Sequence, residues 1–360
     1  MNDIILNCEV ENDAILNSIS DKFDFEFTGK STTTIQTPQF PKEFNIGLII
    51  GSSGSGKSTL LQKCFVTSDV FAWDNKKAII SNFDSADDGI DKLCAVGLCS
   101  IPSWGKPYSV LSTGEKFRAD VAMKLHDNAT IDEYTSVVNR EVAKSCSYSI
   151  SKYIRKHGLK NIVFASCHDD IAEWLQPDWI YNTDTHQFYN GRYLQRPVIN
   201  VEYERCDAWV WEMYKKHHYL SGKINPAADC YLGRINGYPV VFAAVLSFPF
   251  KGEHKAKREH RLVVLPDYQG IGIGNKTSET IAQIYLDNGY RYFSKTTNPK
   301  CGVHRDNSPL WKATSHNHKK RMDYFKDGVI RANQKYSSEL QKIHANRVCY
   351  SHEYIGQVVT

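Results

Sequence analysis

The chain has 360 residues, of which 41% are apolar and 23% are charged. This composition excludes a disordered or fibrous protein and is typical of globular proteins. At about 150 residues per domain, the length predicts two domains. The sequence lacks a signal-like opening, and apolar runs such as Ile46–Ile50 are far shorter than the about 20 residues that span a bilayer. We therefore expect a cytoplasmic protein without membrane contact.

Charge divides the chain into two unlike halves. The net charge is +4, but residues 1–200 carry 20 basic and 25 acidic side chains, whereas residues 201–360 carry 24 and 15. A basic second half favours an acidic partner such as nucleic acid, although solubility alone also explains it. The ten cysteines have no CxxC spacing, which argues against a zinc module or a disulfide framework and predicts reduced, mostly buried thiols.

The first half alternates short apolar runs with amphipathic stretches. Such runs predict buried parallel strands. They lie at Ile46–Ile50, Lys77–Ser81, Thr130–Ile131 and Ile162–Ser166, and two further strands, Trp179–Asn182 and Gln187–Tyr189, flank a polar turn. A polar connector follows, and it places a domain boundary near Arg196, which gives domains of residues 1–196 and 197–360.

The second half has a different pattern, with an aromatic helical stretch at its start. Asn236-Gly237 between two apolar runs predicts a hairpin, and a strand, a helix and a strand follow it. The predicted elements are the helix Asp207–His218, the strands Asp229–Ile235, Tyr238–Phe248 and Arg261–Leu265, the helix Lys276–Asp287 and the strand Arg291–Lys295.

A phosphate-binding loop follows the first predicted strand and precedes a helix. Its glycines allow backbone N–H groups to surround phosphates, Lys57 reaches the β- and γ-phosphates, and Ser58 offers a hydroxyl group to Mg²⁺. The motif therefore predicts an ATP site with Mg²⁺. Its cofactor-binding residues are Gly51, Gly54, Gly56, Lys57, Ser58 and Thr59.

Three more motifs follow the loop in a fixed order. Leu111–Glu115 precedes Asp132-Glu133, and His168 follows the strand Ile162–Ser166. Asp132 at a strand end can hold Mg²⁺ through water, and Glu133 can orient an attacking water. An isolated Asp-Glu pair is usually a solvated pair of surface charges. The assignment of Asp132 and Glu133 to an ATP site therefore depends on the order of the motifs.

With these motifs, residues 25–190 resemble an ABC-type ATPase. The resemblance implies a signature serine and glycine at Ser112 and Gly114, a catalytic Glu133, a switch His168 and an ATP-dependent head-to-tail homodimer. Asn82 occupies the expected place of the Q-loop glutamine and Asn139 that of the D-loop aspartate, which puts fast hydrolysis in doubt. The short spacing between the motifs predicts a small helical subdomain, unlike that of a transporter.

A second glycine turn lies between the strand and the helix of the second half. Together with its flanks, it resembles motif A of the GNAT acyltransferases, in which backbone N–H groups bind the pyrophosphate of coenzyme A. A turn without a ligand or a dinucleotide turn are the alternatives. Residues 198–300 show the resemblance, which implies a GNAT-like α+β domain that binds acetyl-CoA or a related acyl donor. The residues that would bind it are Gln269, Gly270, Gly272 and Gly274.

Clusters of titratable and aromatic residues surround this turn in the sequence. They include Lys215–Gly222, Thr296–Pro299, His304-Arg305 with Ser308–Trp311, and Tyr350–Tyr354. Basic groups neutralise phosphates and aromatic rings stack on unpaired bases. With these segments the chain resembles phage Mom-like DNA modification proteins. That resemblance implies transfer of a small group to N6 of adenine in DNA, and a host-cell cytoplasmic location if a phage encodes the protein.

Several residues of the second half are candidates for the chemistry of transfer. His218 and Tyr219 are candidates for proton transfer or for binding Fe²⁺ or a similar metal, and Ser221 for donating a hydrogen bond or a proton. A structural histidine or a helix cap are the alternatives, and His316 with His318 is a weaker metal candidate. The predicted phosphate contacts, with solvated surface as the alternative, are Arg305, Lys312, Lys319, Lys320 and Arg321.

The motifs together predict an α/β enzyme that modifies DNA bases. An N-terminal ABC-type ATPase domain would assist a C-terminal GNAT-like domain that transfers an acyl-derived group to adenine N6. The first alternative is an acetyl-CoA-dependent N-acetyltransferase that acts on RNA or protein. The second is a nucleotide-gated DNA-binding protein without transferase activity, because a fold does not guarantee a chemistry.

Overall fold

The computed structural model describes residues 3–24, 26–65, 71–191, 194–218, 223–249, 253–320 and 348–356. Contacts between Cα atoms divide the chain into two compact units. The first comprises Met1–Leu98 and Trp104–Pro197, and the second comprises Cys99–Ser103 and Val198–Thr360. Within the described ranges, no helix has both the length and the apolar character needed to cross a membrane.

The first unit is built on a five-stranded sheet that is mainly parallel. Its spatial order is β4-β5-β3-β6-β7, and only β7 is antiparallel to its neighbour. The strands are β3 (Ile46–Ile50), β4 (Thr130–Ile131), β5 (Ile162–Ser166), β6 (Trp179–Asn182) and β7 (Gln187–Asn190). Because β3 and β5 are covered on both faces, their side chains form near-continuous apolar runs.

Helices cover both faces of this sheet. Ile46 and Leu48 pack into one apolar cluster with residues of α3, α5 and α6, whereas Ile49 packs on the other face with Leu60 and Leu61 of α2. The described helices that precede β6 in the chain are α1 (Ala14–Phe23), α2 (Lys57–Cys64), α3 (Ala86–Ala95), α4 (Ile101–Trp104), α5 (Thr113–Met123), α6 (Arg140–His157) and α7 (Ala172–Leu175). The first three residues of α4 belong to the second unit. The small helical subdomain stays a prediction.

A separate hairpin-like segment opens the first unit. Strands β1 (Ile4–Glu9) and β2 (Lys30–Ile35) form a two-stranded antiparallel sheet, and α1 connects them. None of the side chains of α1 is buried, and its apolar face exposes Ile15 and Phe23.

The second unit contains an eight-stranded, mostly antiparallel sheet. Its order is β13-β15-β12-β11-β10-β9-β8, with β14 paired to β15, and among the strands that the structure describes here only β11 and β12 are parallel to each other. The strands are β8 (Glu202–Cys206), β9 (Asp229–Ile235), β10 (Tyr238–Ser247), β11 (Ala256–Val264), β12 (Arg291–Thr296), β13 (Trp311–Ala313), β14 (Lys319–Lys320) and β15 (Val348–Tyr354).

In the described residues after Val198, three α-helices accompany this sheet. The longest, α9 (Ile273–Asp287), connects the parallel pair β11 and β12, as a crossover between parallel strands requires. The others are α8 (Trp211–Tyr214) and α10 (Pro299–Asn307). Apolar side chains of α9, such as Ile281 and Ala282, pack with Tyr231 and Val245 of the sheet.

Several predicted elements differ from the structure. The predicted strand Lys77–Ser81 is wrong, because a 3₁₀ turn at Ile79–Asn82 buries Ile79 in the apolar core. The predicted helix Asp207–His218 is three short pieces, with 3₁₀ turns on either side of α8. Strand β11 begins five residues earlier than predicted. The thiols are free, but only three of the ten are buried.

Candidate functional sites

The glycine loop of the first unit lies between β3 and α2. Gly54 and Gly56 have φ angles of 81° and 94°, a conformation that side chains other than glycine rarely adopt. No atom lies within 4 Å of a Cβ built on Gly54, so the backbone is open to a ligand there. Gly56 is the N-cap of α2 and receives no side-chain cap, so N–H groups of the first helical turn point toward the loop.

Lys57 begins α2 and is folded onto the loop. Its side chain is buried, and Nζ donates hydrogen bonds to the carbonyl oxygens of Gly51, at 3.0 Å, and Ser52, at 2.6 Å. A phosphate can replace these carbonyl oxygens as the partner of the ammonium group. Ser58 and Thr59 follow on the same helical turn and are partly exposed. The loop therefore offers backbone N–H groups and an ammonium group that can bind a phosphate.

The carboxylate of Asp184 touches the same loop, and the sequence did not point to it. Asp184 follows β6, which is parallel to β3, so both strands end at the same edge of the sheet. The Asp184 carboxylate accepts hydrogen bonds from the backbone N–H and the hydroxyl group of Ser52, both at 2.7 Å. These bonds lower the pKa of Asp184. Asp184 therefore anchors the beginning of the loop.

The predicted acidic and histidine residues lie at this edge too. Asp132 and Glu133 follow β4, and His168 follows β5, which pairs with β3 in parallel. Glu133 has a left-handed φ of 49°, and its N–H donates to Asp132 Oδ1 at 2.9 Å. The ring of His168 lies 3.4 Å from the hydroxyl oxygen of Thr135. Parallel topology thus places both carboxylates and the imidazole at the loop's edge of the sheet.

The other residues predicted for the ATP site make local contacts. Ser112 caps α5 in a reciprocal arrangement with Glu115, and Gly114 lies in the first turn of that helix. The Asn82 side chain accepts from the Asp74 N–H and donates to the Ala78 carbonyl oxygen. Asn139, in the same way, caps α6 by accepting from Val142 N at 2.8 Å. The capping of α6 is a structural role for Asn139 that requires no bound nucleotide.

The second unit contains a cleft between two parallel strands that separate. β11 and β12 pair only from Ala256 to Arg258, after which β12 continues against β15. The register of β11 against β10 skips His260, which is therefore the extra residue of a β-bulge. A bulge changes the direction of side chains, and five consecutive residues, 258–262, line one cavity.

The second glycine turn lies at the open end of this cleft. Gly272 is the N-cap of α9 with a φ of 90°, and no atom lies within 4 Å of a Cβ built on it. Gly270 has a φ of 86°, whereas Gly274 packs close to Val264. Gln269 uses its side chain to hold the turn, donating to Val264 O at 2.9 Å and accepting from Cys99 N at 3.0 Å. The N–H groups at the start of α9 are therefore accessible to a phosphate.

The cavity between the separating strands has a volume of about 260 Å³. Basic groups dominate its lining. The charged and imidazole-bearing residues that line it are His218, Arg258, Glu259, His260, Arg261, Lys295 and Arg305. Burial, followed by the charges of Arg261 and Arg258, lowers the pKa of His260 to about 4. This histidine is neutral at physiological pH.

Arg305 is not a surface phosphate contact, which corrects the prediction. It is 1% exposed, and its guanidinium group donates to Glu259 at 3.1 Å, to Ser294 at 2.5 Å and to Ser278 at 3.0 Å. The carboxylate of Glu259 also accepts from Ser278. Because a buried arginine needs a counter charge, this network fixes α10 against β11 and β12.

Other predicted residues lie apart from the cavity or outside the described ranges. Tyr219, Ser221 and Arg321 lie outside the described residues, and so does the side chain of Lys320. Lys312 and Lys319 are exposed. The predicted Fe²⁺ site of His218 and Tyr219 therefore stays a prediction.

His316 and His318 lie in a turn between β13 and β14. His318 Nε2 lies 3.0 Å from an Asp306 carboxylate oxygen. Among the described residues, no group of three or more His, Cys, Asp or Glu side chains is arranged to hold a metal ion.

A scan against family models matched the acetyltransferase (GNAT) family at residues 168–305. The match begins inside the first unit and includes the cleft and its glycine turn. Residues 168–305 therefore contain a GNAT acetyltransferase domain, which makes the chain an N-acyltransferase enzyme. No curated protein matched the sequence.

Solved structures resemble separate parts of the chain. An IAA acetyltransferase from Bacillus cereus is 12% identical, with a TM-score of 0.30, over 43% of this chain and 99% of its own. The Escherichia coli ribosomal-protein-S18-alanine N-acetyltransferase is 9% identical, with a TM-score of 0.31, over 44% and 96%. The bacterial ABC transporter cassette MJ0796, a dimeric structure, is 14% identical, with a TM-score of 0.34, over 42% and 87%.

Proposed function

We propose that the second unit transfers an acyl group from an acyl-CoA to the exocyclic amino group of a nucleic-acid base, with adenine N6 in DNA as the acceptor. The observation that carries this proposal is the cleft between β11 and β12 with the glycine turn at its open end. The acceptor is the one that the resemblance to Mom-like proteins implies, and the first unit would assist the transfer by binding ATP.

The cleft suits the shape and polarity of an acyl-CoA. The pyrophosphate would accept hydrogen bonds from N–H groups at the start of α9, where Gly272 leaves open space. β11 continues beyond Arg258 without pairing to β12, so backbone groups at that edge can pair with the amides of the pantetheine arm, as an added strand would. The thioester would then lie in the cavity.

The charge of the cavity favours a neutral amine as the acceptor. Lysine side chains and protein N-termini have pKa values of about 10.4 and 8, so they carry a positive charge at neutral pH. Arg258, Arg261 and Lys295 line the cavity and would repel such an ammonium group. The exocyclic amino group of a base is neutral, and the phosphates beside it are attracted to a basic domain. A nucleic-acid acceptor is therefore favoured over a protein amine.

In the proposed reaction, the amino nitrogen attacks the thioester carbonyl carbon. A C–N bond forms, the C–S bond breaks, and coenzyme A leaves as a thiolate that takes up the proton released by the nitrogen. His218 lines the cavity and is the candidate for relaying this proton. The products are an N-acylated base and free coenzyme A.

The first unit is proposed to bind ATP and to dimerise. Lys57 and the loop would hold the phosphates, Ser58 and Asp132 would hold Mg²⁺, and Mg²⁺ would neutralise phosphate charge. Ser112 and Gly114 lie at the exposed start of α5, from which they could close on the ATP of a second copy. Light scattering with and without ATP would test this, since a mass that stays monomeric with saturating ATP would contradict the dimer.

Nucleoside mass spectrometry of DNA and RNA from cells that express the protein tests the proposed function without a choice of donor. We expect a new deoxyadenosine adduct that is lost in the Gly272→Glu and His218→Ala variants. An adduct on RNA or protein alone would transfer the proposal to those acceptors. No adduct anywhere, with DNA binding retained, would favour the nucleotide-gated DNA-binding protein.

A further inference from the structure

A buried threonine connects the loop after β4 with the loop after β5. The side chain of Thr135 is fully buried, and its hydroxyl oxygen lies 3.4 Å from Nδ1 of His168 and 3.5 Å from Oγ of Ser166. Both loops belong to the first unit, and every residue from 71 to 191 is described. Thr135 therefore brings the acidic loop of Glu133 into contact with the imidazole.

The backbone around Thr135 has an unfavourable conformation that neighbouring residues hold in place. Thr135 has a left-handed φ of 70°, which is rare for a β-branched residue, and Glu133 has one of 49°. Tyr134, between them, donates its N–H to Ala165 O at 2.8 Å, and its carbonyl oxygen accepts from the Ser166 hydroxyl group at 2.8 Å. Such strain persists only where the surroundings fix it, and it is frequent at functional sites. The bonds to β5 thus fix where the Thr135 hydroxyl group lies.

The number of protons on the hydroxyl groups gives the direction of the hydrogen bond to the ring. The Ser166 hydroxyl group donates its single proton to Tyr134 O and accepts from the His168 N–H at 3.0 Å, so it has no proton for Thr135. The Thr135 hydroxyl group is therefore a donor, and the nearer acceptor is Nδ1 of His168. With Nδ1 as an acceptor, a neutral imidazole carries its proton on Nε2.

Nε2 is then the ring nitrogen that can donate to a ligand. His168 is partly exposed and follows β5, which lies beside β3 and its glycine loop. Cys167 Sγ lies 3.6 Å from Nδ1 and 3.9 Å from Nε2, but a thiol is a weak hydrogen-bond partner. Glu133 would orient the attacking water, and the phosphate beside that water is the terminal one. Because Thr135 belongs to the same loop as Glu133, the ring it contacts lies on that side of the site.

We propose that Thr135 is a positioning residue, whose hydroxyl group holds Nδ1 of His168 so that Nε2–H donates to the terminal phosphate of ATP. The inference rests on the proposed binding of ATP by the first unit. ADP lacks the terminal phosphate, so Thr135 should affect the affinity for ATP and leave the affinity for ADP unchanged.

Titrations of ATP and ADP into the full chain, each with Mg²⁺, test the proposal through the ratio of the two affinities. Thr135→Val keeps the branched shape but removes the hydroxyl group, and we expect the ratio to fall by about tenfold with unchanged ADP affinity. Thr135→Ser restores a hydroxyl group and should return the ratio to within about twofold of its original value. A purely structural role for Thr135 would change the affinities for both nucleotides together.

A double-mutant cycle shows whether Thr135 acts through His168. His168→Gln should lower the ratio, and Thr135→Val added to it should change the ratio by less than about twofold. Ser147→Ala is the matched control, because it removes a buried hydroxyl group that contacts the Tyr134 hydroxyl group instead of the imidazole. This control should keep the ratio, and urea denaturation checks that each variant is folded.

The other outcomes would overturn the inference in distinguishable ways. Independent losses that multiply in the double variant, or a lower ratio in Cys167→Ala but not in Thr135→Val, would show that Thr135 does not hold the ring. An unchanged ratio in His168→Gln would show that this histidine does not contact the terminal phosphate, while ATP binding itself stands. If the unmodified chain binds neither nucleotide, the proposed ATP site fails first and the inference fails with it.

Discussion

The glycine loops of the two units have a similar backbone conformation but different surroundings. Each follows a strand and precedes a helix, and each ends in a glycine N-cap with a left-handed φ, 94° at Gly56 and 90° at Gly272. Neither helix has a side-chain cap, so both loops present N–H groups to a phosphate. Lys57 follows the first glycine, whereas the apolar Ile273 follows the second.

The surroundings decide which phosphate ligand each loop can serve. In the first unit Lys57 adjoins the loop, and the carboxylates of Asp132, Glu133 and Asp184 lie at the same edge of the sheet, an arrangement that suits a triphosphate with a metal ion. In the second unit the cavity cations Arg261 and Arg258 lie three and six residues before the end of β11, about 10 and 20 Å along the strand. That separation suits a ligand with a pyrophosphate at one end and a reacting group at the other.

The largest expected effect comes from Lys57→Ala. The variant removes the buried ammonium group that faces the loop, and we expect ATP affinity to fall by at least about a hundredfold. Fluorescent-nucleotide titration measures the change. Lys63→Ala, on the exposed side of the same helix, is the control and should bind ATP normally. Unchanged ATP affinity in Lys57→Ala would show that the first loop does not bind ATP through Lys57.

Gly272→Glu should reduce coenzyme A affinity by at least about fiftyfold, because it places a side chain and a negative charge where the pyrophosphate is expected. Gly289→Glu is a matched control, since Gly289 also has a positive φ, of 75°, and open space around it, but follows the far end of α9. Calorimetry should show a loss of coenzyme A affinity for Gly272→Glu alone. Equal losses of affinity in both variants would mean that the effect comes from backbone strain at a positive φ and not from the pyrophosphate site.

Glu259→Gln should lower the free energy of unfolding by about 3 kcal/mol, because it leaves buried Arg305 without its counter charge. Glu353→Gln, which breaks the more exposed pair with Arg291, should cost less than about 1 kcal/mol. Urea denaturation measures both. A cost below 1 kcal/mol for Glu259→Gln would show that the Arg305 network contributes little to the cleft.

The smallest expected effect concerns pH. The pKa of His260 is about 4 in the folded chain and about 6.5 in the unfolded one, so the unfolded chain binds more protons between these values. Stability should therefore fall as the pH drops from 7 to 5, by about 1 kcal/mol once solvent screening is allowed for. His260→Gln should lose this part of the pH dependence in urea titrations. An identical dependence in both proteins would contradict the lowered pKa of His260, and with it the effect of its burial beside Arg261 and Arg258.

The sequence predicted the parts of the fold that short segments determine. The loop at Gly51–Thr59 and the hairpin at Asn236-Gly237 depend on local spacing, and the structure has strands at Ile46–Ile50 and Asp229–Ile235 as predicted. The predicted strand Lys77–Ser81 was wrong, because two adjacent isoleucines can pack on the apolar core from a 3₁₀ turn as well as from a strand.

The features of the cleft depend on contacts between residues that are far apart in the sequence, so they could not be predicted from local patterns. The charged residues Arg258 and Glu259 of β11 line a cavity rather than a solvent face, so periodicity alone missed this part of the strand. Arg305 was assigned to the surface because arginine is seldom buried. Its partner Glu259 is 46 positions away, a separation that no local pattern indicates. The anchoring of the first loop by Asp184 likewise appears only when β6 lies beside β3.

The chain is expected to have two separate phosphate-binding loops with different ligands. Titration of both ligands into both loop variants is the most direct test. ATP and coenzyme A are each titrated into Lys57→Ala and Gly272→Glu. We expect Lys57→Ala to bind coenzyme A normally and Gly272→Glu to bind ATP normally, while each variant loses affinity for the ligand of its own loop. Loss of both ligands in either variant, or loss of neither, would contradict this expectation.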